Sequence, residues 1–201
     1  TFVTGNVDIE IGKNNSNPTI YGNVYGGSAF GTVNASTREE VKNELNVNVQ
    51  VNRGKIIGSV FGGAKGNSTY IPYVKGNITV NINGGTIGSV FGGFDENRKP
   101  ENQVIVYLNG GVIGSSFGGG NKTSIDETKI YLRGATTTYL YGGSNELGDV
   151  NNTNVYIEDG GRLVGLTEAL AEVRQTQLKI NEHIIEILKN KPEVLNMRIS
   201  Q

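Results

Sequence analysis

The chain is built on a short alternation of apolar and polar positions that recurs along most of its length. Val47, Val49 and Val51 alternate with polar residues. The run returns at Ile78, Val80 and Ile82, at Val104, Val106 and Leu108, at Ile130 and Leu132, and at Val155 and Ile157. Val7, Ile9 and Ile11 form an initial copy. A period of two with β-branched residues on one side predicts strands that bury one face. Each run ends on a polar residue, Asn52, Asn83, Asn109, Arg133 or Glu158, and a glycine follows at 54, 84, 110, 134 or 160. A glycine repeated at one corner predicts a tight turn with positive φ, where a Cβ is strained. A second short strand comes next, as in Ile87-Gly88-Ser89-Val90-Phe91, with Ile57, Ile113 and Leu163 expected at the position of Ile87. On this alignment the second repeat carries one extra residue at the corner, as does the last.

The second strand leads into an aromatic residue and two glycines, at Tyr25-Gly26-Gly27, Phe61-Gly62-Gly63, Phe91-Gly92-Gly93, Phe117-Gly118-Gly119 and Tyr141-Gly142-Gly143. The aromatics are 36, 30, 26 and 24 residues apart, so segments of different length sit on a constant frame. A sandwich would be joined by hairpins, and one strand motif would not return in the same order. The expected fold is therefore mainly β, a parallel β-solenoid (β-helix) of five to six coils over residues 1–165, each coil stacked on the last at roughly 4.8 Å. Such a stack is a rod of about 25 to 30 Å. Residues 28–46, 64–77, 94–102, 120–127 and 144–153, after the double glycines, are expected as variable loops along one side. In the first of them Ser36 or Thr37 is placed to cap a short helix, with Glu39 or Glu40 in its first turn. Two arrangements are open for the aromatic column. With Val24, Val60, Val90 and Leu140 inward, strand alternation turns Tyr25, Phe61, Phe91, Phe117 and Tyr141 outward as a ladder. A bulge at the double glycine would instead turn them inward as an internal stack.

From Leu163 the period becomes helical and glycine almost disappears. Leu163, Leu166, Leu170, Val173, Gln177, Ile180, Ile184 and Ile187 are spaced by alternating threes and fours, which is a heptad seam. Residues 166–201 are expected as a second module, a coiled-coil helix over about 167–190 followed by a short C-terminal segment. Thr167 caps its start, and Pro192 stops it near Asn190. Isoleucine at both seam positions favours a homotrimer, held through Leu166, Leu170, Val173, Gln177, Ile180, Ile184 and Ile187, with Gln177 as a polar residue that fixes register. An amphipathic helix can also cover the open end of a solenoid. A helix of 24 residues, about 36 Å long, exceeds the cross-section of a coil, which favours self-association.

Composition narrows the function classes. With 30 Gly, 25 Asn and only 4 Pro in 201 residues, the chain is neither collagen nor a disordered Pro/Gly sequence. Its 18 basic and 19 acidic residues give a net charge of −1, which argues against nucleic acid and membrane-surface partners. No apolar run approaches the roughly 20 residues that span a bilayer, so membrane insertion is not expected. Thr at position 1 in place of Met marks a processed or truncated chain. The absence of Cys removes disulfides and thiolate metal sites.

Candidate chemistry is sparse. His183 is the single histidine and falls at the edge of the helical seam, without a second His or a Cys to complete a metal or nucleophilic set. Asp95-Glu96 and Asp126-Glu127, with Glu146 and Asp149, are expected in equivalent loops, where stacked acids would suit Ca²⁺ or the acid and base of a glycosidase. Their offsets differ between repeats, and surface loops ordinarily carry acids. No catalytic residue, cofactor or metal is therefore assigned. The Gly pairs lack the Lys-Ser/Thr of a phosphate loop. Six Asn-x-Ser/Thr triplets, starting at Asn14, Asn34, Asn67, Asn77, Asn121 and Asn151, are what an Asn- and Thr-rich chain yields by chance. Tyr70, Tyr73 and Phe94, in the variable loops, offer rings for stacking on sugars. With Asp95, Glu96, Asp126 and Glu127 they are the candidate ligand-facing residues.

The repeat Gly84-Gly85-Thr86-Ile87-Gly88-Ser89-Val90-Phe91-Gly92-Gly93, nearly repeated from Gly110 to Gly119, resembles the glycine-rich repeats of bacteriophage fibres and bacterial surface adhesins. A β-solenoid joined to a trimeric coiled coil resembles phage fibres in particular, over residues 7–190. The resemblance implies a virion-surface or cell-surface location and attachment to a host-surface glycan or another virion or surface protein. It carries over no receptor-binding residue. The expected function is that of a non-enzymatic structural or adhesive fibre protein. The alternatives are a secreted filament whose solenoids stack end to end and a polysaccharide-degrading β-helix enzyme.

Overall fold

The alternating runs form one six-stranded parallel sheet. In spatial order it reads Val150–Ile157, Ile125–Leu132, Val104–Leu108, Asn77–Ile82, Asn46–Val51 and Val7–Ile11, so each run lies beside the next run in sequence. The second runs form a seven-stranded parallel sheet. Its order is Arg162–Leu163, Thr136–Tyr141, Val112–Phe117, Thr86–Phe91, Lys55–Phe61 and Thr19–Ile20, with Val24–Tyr25 also paired to Lys55–Phe61. The computed structural model describes residues 2–34, 45–96, 103–165, 179–184 and 186. These are mainly β, with parallel sheets throughout. Parallel neighbours require a crossover of a dozen residues or more, and here the crossover passes through the other sheet.

Register is kept from repeat to repeat. Val47, Ile78, Val104, Thr128 and Thr153 share one column, and Val51, Ile82, Leu108, Leu132 and Ile157 share another. The inward faces of the middle strands are fully buried, and Ile56, Ile87, Ile113, Val60 and Val90 of the second sheet join the same core. Towards the later repeats the columns become hydroxylated, with Ser116, Thr128 and Thr137 buried. A buried hydroxyl is costly unless bonded. Thr128 Oγ1 donates to the Gly142 carbonyl at 2.7 Å, and Ser116 Oγ and Thr137 Oγ1 lie 3.1 Å apart. Among the described residues the last strand has a neighbour on one side only, and Val155 and Ile157, at core positions of the pattern, are 43% and 59% exposed.

Three local expectations are corrected. The left-handed corner residue is Gly85 rather than Gly84, and Gly111 rather than Gly110. Thr86 N donates to Gly54 O and Val112 N to Gly85 O, which aligns Gly54, Gly85 and Gly111. Gly84, Gly110 and Gly134 instead press against the carbonyls of Asn52, Asn83 and Asn109, where a Cβ would collide with backbone. Ile56 rather than Ile57 pairs with Ile87, and a bulge before Ser59 absorbs the residue expected at the corner, leaving Ile57 48% exposed. Finally, the first two segments read as loops contribute Thr32–Val33 and Tyr73–Val74 to a third, three-stranded parallel sheet that Phe2–Val3 completes.

The chain divides into two units, Thr1–Leu163 and Val164–Gln201. In the second, residues 179–184 and 186 are helical, and Ile180 and Ile184 are each about half exposed. The other seam positions, Leu166, Leu170, Val173, Gln177 and Ile187, lie outside the described residues. So does the short helix expected near Ser36 and Thr37. Among the described residues no helix is long and apolar enough to cross a membrane.

Candidate functional site

The aromatic residues before the double glycines stand in register and stack. Ring centroids are 5.1 Å apart for Tyr25 and Phe61, 4.6 Å for Phe61 and Phe91, 4.7 Å for Phe91 and Phe117, and 4.9 Å for Phe117 and Tyr141. The column forms its own cluster apart from the main core, while Val60 and Val90, one residue earlier, belong to that core. The outward arrangement therefore holds, yet Phe61, Phe91 and Phe117 are buried rather than presented to solvent. Stacked faces cover one another, and only the end ring, Tyr141, is exposed. Parallel stacking at the strand spacing contributes about 0.5–1.5 kcal/mol per pair beyond burial.

Polar outer positions also form columns. At the corner, Asn109 Nδ2 donates to Asn83 Oδ1, Asn83 Nδ2 to Asn52 Oδ1, and Asn52 Nδ2 to Glu10 Oε1. Next to it, Asn48 Nδ2 donates to Asp8 Oδ1. After the double glycines, Asn145 Nδ2 donates to Asn121 Oδ1, and Asn121 Nδ2 to Asp95 Oδ1. In every one of these bonds the donor belongs to the later repeat and the acceptor to the earlier one, and each series ends on a carboxylate. An amide both donates and accepts, so it can continue a series; an ionised carboxylate only accepts and closes it. Arg133 follows Asn109 in the corner column. Its Nε lies 3.1 Å from Glu158 Oε2, and its guanidinium sits over Tyr107 and Tyr131, which stack in turn with Tyr156. Asp8, Ile9, Glu10, Asn48 and Gln50 line a shallow cavity of about 190 Å³ on the outer face.

The predicted ligand-facing residues are scattered. Phe94 is a correction, since it is fully buried in the main core and cannot stack on a ligand. Tyr70 is exposed, with its ring 5.4 Å from that of Phe30. Tyr73 lies in the third sheet beneath Lys75 Nζ, 5.1 Å from the ring centre. The acid pairs do not stack on one another, which corrects their expected equivalence. Glu96 is in register with Lys122, and Lys122 with Leu147. Asp126 and Glu127 lie within the strand Ile125–Leu132, where Glu127 pairs with Asn152 and holds Lys129 at 3.4 Å. Asp126 Oδ1 accepts from Asn151.

Asp95 joins two of the columns. Its Oδ2 accepts from Tyr25 Oη at 2.9 Å, and its Oδ1 takes the amide of Asn121. Partial burial raises the Tyr25 phenol above its ordinary value, and the Asp95 carboxylate adds to the rise by its hydrogen bond and its charge. His183 is exposed on the helical segment. Among the described residues no three His, Asp or Glu side chains gather where a metal ion could sit. Sequence reasoning missed the amide columns and the Tyr107–Tyr131–Tyr156 stack. The signal was present in the Val-Tyr-Leu, Ile-Tyr-Leu and Val-Tyr-Ile triplets and in the asparagine ending three of the runs. Comparison with protein-family models, curated proteins and solved structures gave no match.

Proposed function

We propose that this protein is a non-enzymatic structural or adhesive fibre protein, a β-solenoid head joined to a coiled-coil stalk and assembled as a homotrimer at a virion or cell surface. The observation that carries the reading is the parallel register kept across the six-stranded sheet, accompanied by a column of five aromatic rings and a corner column of three asparagines. Such repetition makes a stiff support whose variable segments are free to differ, and binding functions reside on segments of that kind. The acids and amides around those segments bond mainly to one another, as in Tyr25–Asp95–Asn121, which suits support better than proton transfer. The stalk rests on the helical turns at 179–184, where Ile180 and Ile184 are four residues apart and half exposed, as seam residues are before association.

Sedimentation equilibrium tests the assembly. The expected mass is that of three chains, falling to one chain in Ile180→Asp with Ile184→Asp. A single-chain mass for the unaltered protein throughout the accessible concentration range would overturn the trimer.

A further inference from the structure

The corner column combines two requirements that together create a chemical hazard. Its rungs are asparagines because an amide both accepts from the later repeat and donates to the earlier one. The residue after Asn83 and after Asn109 is glycine because a Cβ at Gly84 or Gly110 would meet the carbonyl oxygen of Asn52 or Asn83. The fold thereby sets Asn before Gly at two successive rungs, and these are the two Asn-Gly pairs in the sequence. Asparagine is thermolabile, and a following glycine, lacking a Cβ, offers the least hindered attack on it. The glycine nitrogen gives its proton to water and bonds to the Asn Cγ, while the Cγ–Nδ2 bond breaks and ammonia leaves with a proton from water. A succinimide ring results, and a further water opens it to aspartate or isoaspartate. Asn83 and Asn109 are both exposed, so water reaches them.

Two sets of bonds oppose the first step. The attacking nitrogens are engaged with the earlier repeat, Gly84 N donating to Val51 O at 3.3 Å and Gly110 N to Ile82 O at 3.0 Å. The side chains are engaged in the same direction. Asn83 Nδ2 lies 3.0 Å from Asn52 Oδ1, and Asn109 Nδ2 lies 2.9 Å from Asn83 Oδ1. Nucleophile and amide are thus both tied to the preceding repeat, and each must give up a bond to reach the other. Asn52, the rung before Asn83, is followed by Arg53 and carries no such hazard.

We propose that Asn83 and Asn109 are latent deamidation sites, each held unreactive by the acceptor on the rung before it. Every amide of the column leans on the earlier repeat, so loss of a rung releases the next one in the later repeat and not the one before. Conversion of Asn83 to aspartate does not run on to Asn109, because a carboxylate still accepts the Asn109 amide. The inference stands apart from the fibre reading, since it uses bonds within one sheet alone.

Peptide mass mapping after incubation in water labelled with heavy oxygen reads each site separately, because only conversion during the incubation carries the label into the new carboxylate. In the folded protein both sites are expected to convert at least about tenfold more slowly than in the urea-unfolded chain. Tenfold corresponds to about 1.4 kcal/mol, the scale of one net hydrogen bond. Asn52→Ala should raise the rate at Asn83, and Asn83→Ala the rate at Asn109, each by about the same factor. Asn83→Asp keeps an acceptor for Asn109 Nδ2 and should leave Asn109 slow. Asn109→Ala should leave Asn83 slow. Asn67, which precedes Ser68 outside the column, reports unfolding and should keep its rate in every variant. The proposal is overturned if the folded and unfolded chains convert alike, if Asn83→Ala and Asn83→Asp release Asn109 equally, or if neither Asn52→Ala nor Asn83→Ala speeds the rung that follows. Acceleration at Asn67 alongside Asn109 would likewise overturn it, by tracing the release to loss of the fold.

Discussion

At Tyr25 a single side chain closes the aromatic column and reaches into a neighbouring one. Its ring stacks on Phe61, while its hydroxyl donates to Asp95, a residue 70 positions along the chain. The raised phenol pKa has a consequence for alkaline stability. The folded state holds this proton more tightly than the unfolded state, so its contribution is intact below about pH 10 and is lost as pH rises through the folded pKa. Absorbance titration should show a tyrosine that ionises above the ordinary phenol range, and Tyr25→Phe should remove that late step along with part of the alkaline loss of stability. Neither partner of this pair was legible together in the sequence. Tyr25 announces itself through the Tyr-Gly-Gly motif and Asp95 through its neighbour Glu96, but what joins them is the height of two segments across three repeats. The corner glycines were legible only to within one residue, because a Gly-Gly doublet does not say which member takes positive φ and which lies against a carbonyl.

Among the elements, the corner column formed by Asn109, Asn83, Asn52 and Glu10 makes the energetics of repetition measurable. Each bond is exposed and contributes about 0.5–1.5 kcal/mol net. Asn83→Ala removes the bonds on both of its sides and should lower the unfolding free energy by about 1–3 kcal/mol, read as a lower urea midpoint at an unchanged slope. Asn52→Ala combined with Asn83→Ala should cost less than the sum of the single changes, because the bond between them is lost only once. Additive effects would mean that the side chains act separately. The strands themselves were readable from alternation, since Val47, Val49 and Val51 are buried and Asn48 and Gln50 are not. The bulge at Ile57 was not, because Ile56 and Ile57 are equally apolar and only pairing with Ile87 decides between them. Phe94 was misread for a similar reason. An aromatic in a variable segment looks available to a ligand, yet the double glycine before it lets the chain turn its ring into the core.

For the molecule as a whole, the parallel sheets and the order of their strands followed from one observation, that the same motif returns in the same sense at intervals long enough for a crossover. The acids that close the amide columns did not follow from it, because Val-Asp-Ile-Glu-Ile and Val-Asn-Val-Gln-Val have the same alternation. The register also makes length an adjustable quantity. Each strand of the six-stranded sheet pairs only with the copies immediately before and after it, so one complete interval can be removed without leaving any surviving strand a partner of the wrong kind. Excising residues 84–109 joins Asn83 to Gly110 and brings Asn77–Ile82 beside Ile125–Leu132, with Ile78 over Thr128 and Ile82 over Leu132. The shortened chain is expected to fold with one cooperative transition at lower stability, as followed by urea denaturation, whereas removing half that interval should abolish it. Gene segments encoding such intervals can then be gained or lost by recombination, and the distance between the two ends of the stack would change in fixed steps like the divisions of a ruler.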